Sequence, residues 1–175
     1  STKMIAKYYM HPSKKDALQA YVFMADGKIP HGGLFDRLKG IITIYAIAKA
    51  QHKKFRIYFV SPFDLRNYIE PHLYDWSISD NEIFFSYPKS KPIIAYGEIN
   101  RTYRLMKHRN GQIHFYYGYN SIKDVNRKYG THFQWGELYH ELFKPTPYLQ
   151  NHINSLLNEI GKYYIVFHTR FLNLL

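Results

Sequence analysis

Gln19-Ala20-Tyr21-Val22-Phe23-Met24-Ala25, then Asp26-Gly27-Lys28-Ile29-Pro30-His31-Gly32-Gly33, then Leu34-Phe35-Asp36-Arg37-Leu38-Lys39-Gly40-Ile41-Ile42, is the stretch on which the fold of this chain turns. The first run is short, apolar and β-prone, and reads as a buried strand. The second is a loop punctuated by Gly and Pro. In the third, Leu34, Leu38, Ile41, Ile42, Tyr45 and Ala48 recur at steps of three and four, which predicts a helix to about Gln51. Gly40 and the alanines within it suit close packing on a sheet. Phe55 to Val60 is the next strand.

Working outward, Ser61-Pro62 reads as an N-cap with proline at the first helical position, opening a short helix through Ile69. Phe84-Phe85, Ile93 to Tyr96 and Ile113 to Tyr117 are further strand candidates, the last after an Asn110-Gly111 turn. Phe133 to Phe143 and Pro147 to Ile160 read as helices, Gly161 ending the second. Tyr163 to Thr169 reads as a final buried strand, and Met4 to Met10 as a short strand or extended arm. Strand and helix alternate, so the expected class is α/β, a Rossmann-like domain with a mostly parallel sheet flanked by helices. The apolar tail Arg170 to Leu175 follows a strand without a closing helix, which suggests one domain over 1–160 and the truncated start of another part over 161–175.

Composition narrows the chemistry. The chain has 175 residues, 46% of them hydrophobic, which argues against disorder. Its richest apolar run, Ile41 to Ala50, is interrupted by Thr43 and Lys49 and falls short of a membrane helix. The absence of cysteine removes disulfides, cysteine nucleophiles and thiolate metal sites, and fits a cytoplasmic setting. With 24 Lys and Arg against 13 Asp and Glu, the net charge is +11, which attracts phosphates on nucleotide sugars, nucleic acids or lipid headgroups. The 18 Tyr and 12 Phe supply either core or sugar-stacking surfaces.

The order strand, glycine loop, helix carries the chemistry. Free N–H groups at a helix start attract anions, and Gly32-Gly33 would let a phosphate approach closely. Arg37 could face a diphosphate, while Asp36 suits the helix dipole. The loop is neither a Walker loop nor GxGxxG, and a plain flexible turn fits the pattern as well.

The run from His31 to Ile41, continuing through Tyr45-Ala46-Ile47-Ala48-Lys49-Ala50 to Lys54-Phe55-Arg56-Ile57, resembles the opening of fucosyltransferases of the α1,2, α1,6 and protein-O-fucosyl group. Those begin with a glycine loop G-G-L-x-D/N-R/Q-L, which Gly32, Gly33, Leu34, Asp36, Arg37 and Leu38 match. Near the other end, Phe167-His168-Thr169-Arg170 resembles the family's strand ending in H-x-R, although the phrase continues with Phe171-Leu172-Asn173 where the family runs toward G-D. The resemblance covers the first 60 residues well and the last ten moderately; the middle matches nothing nameable.

The resemblance implies half of a two-domain GT-B fold and an inverting, metal-independent transfer of fucose from a GDP-sugar. The acceptor would be a glycan or lipid-linked glycan in capsule or surface-polysaccharide synthesis, with peripheral association at the inner membrane face an option. By this reading Arg170 and Asp36 are catalytic, and His31, Gly32, Gly33, Arg37 and His168 bind substrate. Arginine suits a diphosphate because its planar fork pairs two oxygens and stays charged. No metal and no other cofactor is expected: no acidic DxD is present, Asp80-Asn81-Glu82 reading as a turn, and His108, His114, His132, His140 and His152 lack a ligand spacing. Asp36 and His31 are candidates for general base, with Glu98 a distant third.

Two other classes compete. A nucleic-acid-binding module would use the charge with Tyr116, Tyr117 and Tyr119, but no RNP-like signature accompanies them, and nucleic acid is not the expected partner. A non-catalytic fragment that binds an acceptor glycan is the other. Arg101, Arg104, Lys107, His108 and Arg109 form the strongest basic patch, either a solvated face or a contact for an anionic acceptor or membrane.

Overall fold

The computed structural model describes residues 19–86, 89–107 and 111–166. Four strands form the central sheet: β1 (Ala20–Ala25), β2 (Phe55–Phe59), β4 (Ser90–Tyr96) and β5 (Gln112–Tyr117). Their order is β2-β1-β5-β4 and every pairing is parallel, with Phe23 opposite both Ile57 and Phe115. The expected α/β class with a parallel sheet is observed.

Helix α1 (Leu34–Ala50) connects β1 to β2, and α2 (Ile99–Leu105) connects β4 to β5. Both crossovers step the same way along the sheet, so right-handedness puts both helices on one face. The packing agrees. Phe23, Phe115 and Tyr117 of the sheet share one core with Ile41, Ile44 and Tyr45 of α1 and with Ile99 and Tyr103 of α2. The chain returning from β2 to β4 crosses the opposite face, where Ile78, Ile83 and Phe85 cover Val22, Met24 and Tyr116 without a helix.

The middle of α1 is buried all round, from Gly40 to Ala48, rather than along one stripe. Two further helices explain part of this: α3 (Ile122–Tyr129), which the sequence did not suggest, and α4 (Trp135–Leu142), within the helix expected over Phe133 to Phe143. Both pack on α1, and Lys49 Nζ pairs with Glu141 Oε2 of α4 at 2.6 Å. Gly40 behaves as its position suggested: a Cβ there would lie 1.9 Å from the Tyr117 carbonyl oxygen.

Ser61 does not cap a helix. Its N–H and that of Val60 donate to the Ala25 carbonyl at 3.1 and 2.9 Å, tying the segment to the end of β1. A single 3₁₀ turn (Leu65–Asn67) begins instead where the Asp64 carboxylate accepts the Arg66 N–H. It leads to β3 (Ile69–Pro71), antiparallel to β6 (Phe143–Pro145), and Trp76 Nε1 donates to the Leu142 carbonyl at 2.7 Å beside this ribbon.

The predicted helix from Pro147 is α5 (Pro147–Ile160), capped by Thr146 and ended by Gly161 at φ 78°. The predicted buried strand after it is not formed over 163–166, which are exposed and irregular and pair with no strand among the described residues. Phe84-Phe85 is irregular too, covering the sheet rather than joining it. Met4 to Met10, Asn110 and Phe167 to Leu175 lie outside the described residues. Among the described residues no helix is long and apolar enough to cross a membrane.

Candidate functional site

The carboxyl ends of parallel strands are where α/β sheets gather their ligands, because the loops and helix starts converge there. Here β1, β4 and β5 end around a cavity of about 320 Å³ lined by His31, Gly32, Asp36, Lys39, Tyr96, Gly118 and Tyr119. Gly33 is the N-cap of α1, with φ −60° and ψ 176°, and it offers no side chain to satisfy the first-turn amides. The first turn closes with the Arg37 N–H donating to the Gly33 carbonyl at 3.2 Å. Nothing lies within 4 Å of the position a Gly33 Cβ would take, whereas a Gly32 Cβ would meet the Asp36 carboxylate at 2.3 Å.

His31 is half-buried between the Phe23 and Tyr116 rings, at centroid distances of 5.7 and 5.9 Å. Burial and the charge of Arg37 hold its pKa below the ordinary imidazole value, against a hydrogen bond to the Met24 backbone and the charge of Asp26. Its Nε2 is shielded from solvent and has no hydrogen-bond partner among the described residues. A neutral imidazole keeps a lone pair on one ring nitrogen.

Asp26, at the end of β1, accepts from the Tyr116 hydroxyl at 3.1 Å and from the Lys28 N–H at 3.1 Å. Burial still raises its pKa, the stronger effect over these bonds. Asp36 lies half in solvent and accepts from Lys39 Nζ at 3.2 Å.

The structure gathers His31, Gly32 and Asp36 at one cavity with Gly33 beside them. It turns Arg37 elsewhere. Nη1 of Arg37 donates to the Ser61 carbonyl at 2.9 Å, and the guanidinium lies 5.3 Å from the Phe59 ring centroid, so this arginine anchors the chain after β2. His168 and Arg170 lie outside the described residues. Glu98 stands at the N-cap of α2 near Arg101 and does not line the cavity. Asp80-Asn81-Glu82 lies in a turn, as expected, in which the Glu82 carboxylate accepts from the Ser79 N–H at 2.9 Å. Among the described residues no group of His, Asp and Glu is placed to hold a metal ion.

Lys39, Tyr96 and Tyr119 also line the cavity but were absent from the sequence-derived set. Both tyrosines are more than half exposed. Tyr96 has φ 49°, an uncommon backbone for a residue with a side chain and one that clusters at functional sites. A Cβ at Gly97 would lie 2.4 Å from the Tyr119 ring, so this glycine lets the ring lie flat against the turn after β4. Each tyrosine adjoins a glycine just past a strand, the signal from which they could have been found.

No protein-family model matches this chain, and neither a curated protein nor a solved structure does.

Proposed function

We propose that this chain is an α/β domain of a fucosyltransferase-type glycosyltransferase, moving fucose from a nucleoside diphosphate sugar to a glycan acceptor in surface-polysaccharide synthesis at the cytoplasmic side of a membrane. The observation that carries the reading is the uncapped, glycine-led start of α1 beside a cavity that His31, Gly32 and Asp36 line together. Amides at Gly33 and in the first turn, with Lys39, meet the diphosphate and stabilise charge as it leaves. Tyr96 and Tyr119 offer ring faces to a sugar.

His31 suits the general base better than Asp36, which is engaged by Lys39 and half in solvent. As the acceptor oxygen bonds to the sugar anomeric carbon, its proton passes to the His31 imidazole and the carbon–oxygen bond to the diphosphate breaks, releasing nucleoside diphosphate. Asp36 positions Lys39, and Arg170 with His168 adds the phosphate contacts that the family resemblance implies.

Calorimetry with GDP, and with a single-stranded oligonucleotide as control, tests the reading. GDP should bind, and Gly33→Val should weaken it at least about tenfold by filling the space over the helix start. In the active enzyme His31→Gln should lower turnover by about 10²-fold with GDP affinity unchanged. Arg170→Ala should lower transfer at least about tenfold. Tight oligonucleotide binding without response to any nucleoside diphosphate would replace this proposal with the nucleic-acid module.

A further inference from the structure

The opposite, amino edge of the sheet carries a different chemistry. Two depressions of about 750 and 520 Å³ adjoin there, sharing Gln51, Met106 and Lys107 in their walls. Lys53 and Lys54 rim the larger, Arg104 and Lys128 the smaller, and among the described residues no carboxylate lines either. None of these five cations forms an ion pair among the described residues. Positive charge in a concave wall focuses the field and concentrates anions there.

The smaller depression is also rich in donors that lack acceptors. The Tyr21 hydroxyl donates to Gln51 Oε1, and Gln51 Nε2 donates to the Tyr129 hydroxyl at 2.7 Å, which leaves the Tyr129 proton to give. The Tyr103 hydroxyl is shielded from solvent and has no partner among the described residues. Tyr103 and Tyr129 meet edge to face at 6.0 Å, and Lys128 Nζ lies 4.6 Å from the Tyr103 centroid. A buried hydroxyl without an acceptor is destabilising, which an anionic oxygen at the site relieves.

We propose that this basin at the amino edge is a phosphate-binding site, separate from the carboxyl-edge cavity, that takes a phosphorylated group through Tyr103, Arg104, Lys107 and Lys128. The phosphate belongs either to a lipid headgroup at a membrane surface or to a free phosphorylated compound. Nucleic acid fits less well. The aromatic rings here are half-buried and meet edge to face, unlike the exposed ring platforms on which bases stack.

The probes are inorganic pyrophosphate, by calorimetry and amide chemical shifts, and phosphatidylcholine vesicles with and without phosphatidylglycerol, by co-sedimentation. Pyrophosphate should bind and shift the amides of Arg104, Lys107 and Lys128. Tyr103→Phe and Lys128→Ala should each weaken it about three- to tenfold, a loss a diffuse basic surface would not show for one phenolic proton. Gly33→Val should leave this binding unchanged, which keeps the test independent of the proposed transfer site. Added retention on phosphatidylglycerol vesicles, lost in the same variants, assigns the lipid source; pyrophosphate binding alone assigns the free compound. Three results overturn the proposal: no binding to either probe, shifts confined to the start of α1, or full affinity in Tyr103→Phe. Oligonucleotide binding that depends on these residues without any pyrophosphate response overturns it as well.

Discussion

Acidification from pH 7 to pH 5 should cost this fold about 2 kcal/mol through one side chain, His114. His114 is fully buried on β5, on the sheet face covered by the chain between β2 and β4. Its Nε2–H donates to Gln112 Oε1 at 2.9 Å, which also accepts the Phe84 N–H at 3.0 Å, and the Phe85 ring stands 5.4 Å away. Burial pushes the imidazole pKa down to about 3 from 6.5. Between these values the unfolded chain holds one proton that the folded chain does not, so stability falls as pH drops, by about 1.4 kcal/mol per pH unit. The penalty begins near the unfolded value and has grown over about 1.5 units at pH 5, which gives the figure of about 2 kcal/mol. Urea unfolding of the wild type and His114→Gln at both pH values isolates it, because His31 and Asp26 titrate in both proteins. The glutamine variant should lose about 2 kcal/mol less than the wild type on acidification. Equal losses would refute the reasoning.

Gly40→Ala would gain about 1 kcal/mol in helix propensity but drives a methyl into the Tyr117 carbonyl, so a net loss of about 2 kcal/mol or more is expected in chemical unfolding. Trp76→Phe removes the indole donor to the Leu142 carbonyl, which keeps the His72 N–H at 3.1 Å, and should cost about 0.5–1.5 kcal/mol by the same measurement. Thr43 Oγ1 donates to the Tyr119 carbonyl at 2.8 Å and accepts the Ser121 N–H at 3.0 Å, so Thr43→Val should cost about 1–3 kcal/mol. It should also broaden the Tyr119 amide signal, and a sharp, unshifted signal would show that Thr43 does not hold that turn.

The unit β1, loop, α1, β2 was legible because each piece is contiguous and signals itself locally. Gln112 to Tyr117 was legible for the same reason. Helix α2 was not, because its seven residues are mostly polar and Ile99 and Tyr103 make only a single four-residue step. Helix α3 presents Ile122, Val125 and Tyr129 at helical spacing, a short signal that the reading passed over. The Ser61-Pro62 pair carried the composition of a helix start, but the Ala25 carbonyl claims the Ser61 N–H, a partner far off in sequence. Residues 163–166 are strand-like in composition, yet a strand requires a neighbour that composition cannot supply. The glycine loop, His31 and Asp36 could be picked out in sequence, whereas Lys39, Tyr96 and Tyr119 become a set only because β4 and β5 end beside β1.

The two inner strands of the sheet are the first and the last of its four in chain order, with Ala20 paired to Gln112. During synthesis from the amino terminus, β1 and α1 emerge before β5, and the part of their apolar surface that β5 covers stays open until Tyr117 has been made. Long loop closure of this kind slows folding and prolongs exposure to aggregation. The ribosome-bound chain therefore has no finished centre before β5 emerges, and chaperones have their longest opportunity to act on it in that interval.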